Sequence, residues 1–221
     1  MKKFFVILLF IVADISAQNI QLHYDLGEGR DYFTSTIEMF KPDEYGATFF
    51  FVDFDYNRQG NNSLSLAYFE IARYISIPWV KGLSATIQYN DGTAPWGPLG
   101  HIVLAGASYP INLGFVTLNT DLLYRKDYLS TGSDMQLTTV WFVPLLDGKL
   151  HFTGFLDLWT RSDANDDKEF VLLTEPQLWY NIDKHLSVGG EVEISNKFLP
   201  PNDKGEYEIE VMPTLGVKWN F

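Results

Sequence analysis

The chain contains no cysteine. That excludes the disulfide framework on which small exported domains rely when their core cannot hold them together. It is poor in cations, with 16 Lys and Arg against 28 Asp and Glu and a net charge of −12. Binding to a nucleic-acid backbone needs a basic footprint, so nucleic acid is excluded as a partner class. Beyond Val12 no stretch approaches the roughly twenty apolar residues of a membrane-spanning helix. Helical periodicity is missing after the first seventeen residues, and no Gly-x-Ser-x-Gly nucleophile motif occurs. His23, His101, His151 and His185 stand on separate segments without metal-ligand spacing. Asp163, Asn165 and Asp167 are spaced like a calcium loop, but Lys168 occupies the position that requires glycine, and the segment reads as a solvated acidic loop. No cofactor or metal is expected.

The N-terminus is more informative. "MKKFFVILLFIVADISAQ" carries Lys2 and Lys3, an apolar run from Phe4 to Val12, and small residues at Ser16 and Ala17. This three-part layout predicts a secretory signal peptide over 1–17, cut after Ala17. The remainder, 18–221, shows no linker or charge block and reads as one domain.

Within that domain 46% of residues are hydrophobic and 16% aromatic despite the charge, so the two kinds of surface must be segregated. They are segregated with period two. Ile20, Leu22, Tyr24 and Leu26 alternate with Gln21, His23 and Asp25; Leu83, Ala85, Ile87 and Tyr89 alternate with Ser84, Thr86, Gln88 and Asn90. The last stretch, from Glu206 to Phe221, ends on "GVKWNF" and alternates to its final aromatic. Strands place successive side chains on opposite faces. The pattern predicts twelve strands near 19–27, 31–41, 46–57, 62–75, 82–91, 101–110, 113–126, 133–144, 148–162, 168–182, 184–196 and 206–221.

Short connections at "PIN", "LDG" and "NIDKH" alternate with longer ones at 92–100, 127–133, 163–168 and 197–205. Short turns on one side, longer loops on the other and strands of ten or more residues match a transmembrane β-barrel. Aromatics gather near strand ends at Tyr24, Tyr32, Phe40, Tyr56, Tyr74, Tyr89, Tyr109, Tyr124, Tyr180, Trp219 and Phe221, as the two headgroup levels favour. The expectation is an all-β, antiparallel transmembrane barrel of about twelve strands in the bacterial outer membrane. Its termini should be periplasmic, with 92–100, 127–133, 163–168 and 197–205 facing outward.

"WFVPLLDGKLHFTGFLDL" (Trp141–Leu158), "STIEMFKPDEYGATFFFVD", "YFEIARYISI" and the terminal "WNF" resemble segments of the Tsx-type nucleoside-specific outer-membrane channels. The whole is similar to the shorter Tsx-like barrels of the Bacteroidetes kind. The likeness spreads over most of 18–221; the long loops differ, and Ala72 stands where the family pattern has an acid. The resemblance implies a channel for nucleosides or similar small solutes. It also implies that the outer-membrane assembly machinery reads the C-terminal strand.

Reading the polar faces as lumen gives the candidate site. Strand 2 offers Glu38, strand 3 offers Phe49, Phe51, Asp53 and Asp55, and strand 7 offers Phe115, Asn119, Asp121 and Arg125. In strand 4 a bulge near Ala67–Tyr68 is expected to turn Glu70 inward and leave Phe69 and Ile71 outward. Strand 9 offers Phe155, Asp157, Trp159 and Arg161, and strand 10 offers Glu175, Gln177 and Trp179. Glu191, Glu193, Glu208, Glu210 and Lys218 complete the set. Rings would stack on a base, and carboxylates and amides would accept from ribose hydroxyls. The plainer alternatives are that the rings fill the barrel and the acids pair with Arg73, Arg125, Arg161 and Lys218. An excess of lumenal acid disfavours anions. A lipid-cleaving barrel with a Ser–His pair drawn from Ser65, Ser84 or Ser187, and a closed structural barrel, are the competing readings.

Overall fold

The computed structural model describes residues 18–56, 63–128, 130, 132–162, 167–202 and 204–221. The leader at 1–17 and, of the calcium-like spacing, Asp163 and Asn165 lie outside the described residues. The strands are β1 Asn19–Asp25, β2 Phe33–Asp43, β3 Gly46–Tyr56, β4 Leu64–Ser76, β5 Ser84–Ala94 and β6 Ile102–Asn112. They continue as β7 Thr117–Asp127, β8 Asp134–Leu145, β9 Leu150–Ser162, β10 in two halves at Lys168–Thr174 and Gln177–Asn181, β11 Leu186–Asn196 and β12 Ile209–Asn220. Gly97–Pro98 forms only a two-residue bridge back to β5. Each strand pairs antiparallel with its sequence neighbours, and β12 returns to β1 with Asn19 opposite Asn220 and Leu22 opposite Val217. The result is a closed twelve-stranded barrel. Closure leaves no open edge, which a hydrocarbon medium could not satisfy.

The sidedness is inverted relative to a soluble protein. On β1, Gln21 and His23 are 2% and 1% exposed, whereas Ile20 and Leu22 are 40% and 44% exposed. The same holds where Gln88 is buried beside exposed Ile87, and Asp121 beside exposed Leu122. Apolar residues therefore coat the outside and polar ones line the interior, as in a lipid-facing barrel. Aromatic contacts gather near both ends of the wall: Tyr24–Phe33 and Tyr89–His101–Tyr128 toward the long loops, His185–Trp219 toward the termini. Tyr32 and Tyr74 leave the expected girdles. Tyr32 is buried, and the Tyr74 hydroxyl points inward to donate to Asp121 at 2.9 Å.

Both termini and the connections at 44–45, 77–83, 113–116, 146–149 and 182–185 share one end; the remaining connections share the other. Strand 10 is interrupted at Glu175–Pro176 because proline cannot donate to the ladder. Opposite the gap sits Gly154, with φ of +150°; a Cβ there would lie 2.3 Å from the Glu175 carbonyl oxygen. Only glycine lets the two backbones approach this closely. The bulge expected near Ala67–Tyr68 is absent. The β3–β4 register runs unbroken from Gly46↔Ile75 to Asp55↔Leu66 and shifts only at Asp55/Tyr56. Glu70 faces inward by plain alternation, with Tyr68 beside it on the same face.

Candidate solute site in the lumen

The registers carry the inward face around the barrel and place on it the expected lumenal residues other than Arg73, Phe115 and Glu208. Glu38 lies opposite Asn19 and Phe51; Asp53 lies opposite Thr36 and Tyr68; Phe49 and Asp55 continue the β3 face. Phe155, Asp157, Trp159 and Arg161 alternate on β9, facing Val140, Thr138 and Gln136 on one side and Val171 and Glu169 on the other. Glu175 follows the alternation through the gap in β10, and Gln177 and Trp179 lie opposite Thr153 and His151.

Three layers of chemistry follow along the barrel axis. Toward the long loops the acids are ion-paired. Arg30 bridges Asp25 (3.1 Å) and Glu193 (2.8 Å), Arg161 and Lys197 share Glu169 (2.7 and 2.9 Å), and Lys168 meets Asp134 at 2.6 Å.

The middle layer differs. Asp53 accepts from the Thr36 hydroxyl (2.5 Å) and Asp157 from Thr138 (2.5 Å). Glu70 accepts from the Tyr68 hydroxyl (2.6 Å) and Asn90 Nδ2 (2.7 Å), and Glu191 accepts from Gln177 (2.8 Å). Among the described residues none of Asp53, Glu70, Asp157, Glu175 and Glu191 forms an ion pair with Lys or Arg. The basic group nearest Glu191 is His23, at 3.7 Å, whose ring is engaged by the Thr214 hydroxyl at Nδ1 and donates from Nε2 to Gln21. These acids feel one another across the lumen: Glu70 on β4 senses Asp157 on β9, and Glu175 on β10 senses Asp53 on β3.

Toward the termini, Lys218 Nζ sits 4.1 Å from the centre of the Trp179 ring, within the electrostatic reach of Glu38 and Glu191. Trp179 is only 1% exposed and donates its indole N–H to Gln177. Trp159 has Arg125 over its face at 5.0 Å and Phe198 at its edge. Both tryptophans point inward as expected, but cations already occupy their faces. Phe49, Phe51 and Phe155 are the half-buried rings that remain; Phe51 touches Phe49 and Tyr68 at centroid distances of 5.9 and 6.1 Å.

Three expected lumenal roles need correction. Arg73 faces outward and binds Asp43 at the β2–β3 rim, at 2.5 Å, because even-numbered β4 residues take the inward face. Phe115 lies in the β6–β7 turn and is 81% exposed. Glu208 belongs to the long β11–β12 connection, where it accepts from Asn202. Two of the three serines of the enzymatic alternative bond elsewhere: Ser65 to the Asp55 carbonyl and Ser187 to Asn181. Tyr68, Asn90 and His23 were not foreseen as part of the site. His23 and Asn90 stood on polar faces and could have been found there; Tyr68 sits in the run Leu66–Phe69, apolar on both faces, which hides it. No group of three or more His, Asp or Glu among the described residues could hold a metal.

The fold is shared with solved porins. It superposes on the NanC porin with a TM-score of 0.60 at 10% identity, covering 92% of this chain and 99% of that one. It superposes on the KdgM porin, whose structure was solved with disordered oligogalacturonate, with a TM-score of 0.52 at 9% identity and the same coverage. No curated protein matches by sequence. The family model for a domain of unknown function, DUF5020, matches residues 17–221, and the chain belongs to that family.

Proposed function

We propose that this protein is an outer-membrane channel for passive diffusion of small solutes, nucleoside-like in size and chemistry, and that it is not an enzyme. The observation that carries the reading is the inverted barrel, apolar outside, with a middle layer lined by rings and by carboxylates that form no Lys or Arg ion pair among the described residues. Resemblance to the Tsx-type channels supports the solute class, and the porin fold supports the channel role. Residues 1–17 act as the export signal, and the C-terminal strand, ending in outward Phe221 (69% exposed), is offered to the assembly machinery. Phe51 and Phe155 supply stacking surface on opposite walls. Asp53, Asp157, Glu175 and Gln177 supply acceptors and a donor for hydroxyls. The acidic lumen disfavours nucleotides and anionic sugars.

A closed structural barrel is the second reading, favoured by one observation: Leu104, Leu123 and Val171 point inward and are completely buried. Ion current through the purified protein in a planar bilayer, titrated with uridine or adenosine, separates the two. The channel reading requires current that these nucleosides block at millimolar concentration. Current indifferent to them removes the nucleoside assignment, and absence of current removes the channel.

A further inference from the structure

The mid-lumen acids carry an inference that rests on the channel reading and adds a second class of solute to it. Near the long loops, Arg30, Arg161, Lys168 and Lys197 each hold an acid within 3.1 Å; inward Arg125 is taken by Gln136 at 2.6 Å and Asp127 at 3.4 Å, and reaches Glu70 and Asp157 only through space. A barrel interior that merely neutralised its charge would continue this pattern inward. It stops at the middle layer. There Asp53, Glu70, Asp157 and Glu191 are each fixed by a neutral hydroxyl or amide donor, and the Glu175 carboxylate has no hydrogen-bond partner among the described residues. The carboxylates are oriented and still have acceptor capacity, since each oxygen offers two lone-pair sites.

An independent observation comes from Asn90. It is 4% exposed, and its Nδ2 is spent on Glu70 and on the Tyr68 hydroxyl. Its Oδ1 is buried without a partner. A buried acceptor left unpaired costs free energy and calls for a donor. Rings flank the same layer, with Phe51 below Asp53 on β3 and Phe155 below Asp157 on β9; an aromatic face attracts a cation. Acceptors, rings and an unfilled amide oxygen thus converge on one ligand chemistry.

We infer that the middle of the lumen is a binding site for small organic cations bearing primary ammonium groups. Its anchors are Asp53, Glu70 and Asp157, with Asn90 Oδ1 as a neutral acceptor. A solute with an ammonium at each end would place one end on Asp53 of β3 and the other on Asp157 of β9.

The test is calorimetric titration of the refolded full-length mature protein in detergent, with 1,4-diaminobutane as probe and uncharged 1,4-butanediol as control. Ion current in bilayers is measured in parallel. The diamine should bind and should block current; the diol should do neither. Asp53→Asn with Asp157→Asn should weaken diamine binding by roughly tenfold or more, the loss expected when charged hydrogen bonds become neutral. Glu169→Gln, in the ion-paired layer, should leave binding unchanged. Gel mobility before and after heating shows that each variant has folded. Diamine binding without ion current would overturn the channel reading and leave the cation site standing. Absence of diamine binding to the wild type overturns the inference whatever the conductance, as does a diol that binds equally or a double variant that binds like the wild type.

Discussion

Replacing Leu22 by Arg tests the inverted sidedness where it is clearest. Leu22 is 44% exposed on the outer wall, with Ser35 and Val217 across from it on β2 and β12. It lies midway along β1, between inward Gln21 and His23, at the depth of the mid-lumen carboxylates. If lipid hydrocarbon covers it, a guanidinium there costs about 2–4 kcal/mol. At about 1.4 kcal/mol per factor of ten, that lowers the folding equilibrium constant roughly 30- to 900-fold. Leu113, 51% exposed in the β6–β7 turn at the rim, provides the depth control; arginine there should cost only about 0–1 kcal/mol. Both variants are refolded into lipid vesicles and titrated with guanidinium chloride, with tryptophan emission as the readout. An unchanged midpoint for Leu22→Arg, or equal losses at the two positions, would refute a lipid-covered wall.

Phe51→Ala should weaken nucleoside block of ion current by roughly 5- to 150-fold, the equivalent of about 1–3 kcal/mol of base stacking, without lowering conductance; unchanged block would remove Phe51 from the site. Deleting Phe221 should reduce the yield of heat-modifiable barrel more than Asn220→Ala does. Phe221 presents the outward terminal ring, while the Asn220 side chain bonds to the His185 carbonyl and Ser187 at 3.3 and 3.5 Å; equal yields would contradict the assembly role. Protease added to intact cells should cut tags inserted at 197–205 and spare tags at 146–148, and the reverse pattern would invert the topology.

How much of this was legible before the fold was known depends on how strongly each strand is two-faced. Strands such as 19–25 and 150–162 alternate polar and apolar residues, and a one-residue slip would turn every side chain to the wrong face; their inward sets are correct to the residue. Where both faces are apolar, as from Leu66 to Phe69, alternation carries no information, and the bulge expected there is absent from the β3–β4 register. Arg73 shows the complementary failure. An arginine flanked by Ala72 and Tyr74 does not reveal that its guanidinium reaches the rim to meet Asp43, because long basic side chains can leave an apolar wall for the headgroup level. Local patterning also cannot show which inward rings are already covered. The pairing of Lys218 with Trp179 and of Arg125 with Trp159 joins strands distant in sequence, and only the closed cylinder brings them together.

The central claim is that this barrel conducts, and single-channel recording of the wild-type protein in a planar bilayer under a potassium chloride gradient tests it most directly. The account predicts discrete conductance steps with a reversal potential displaced toward the potassium equilibrium value, because the mid-lumen carboxylates concentrate cations. A folded protein that passes no current, or a reversal potential displaced toward chloride, would contradict it.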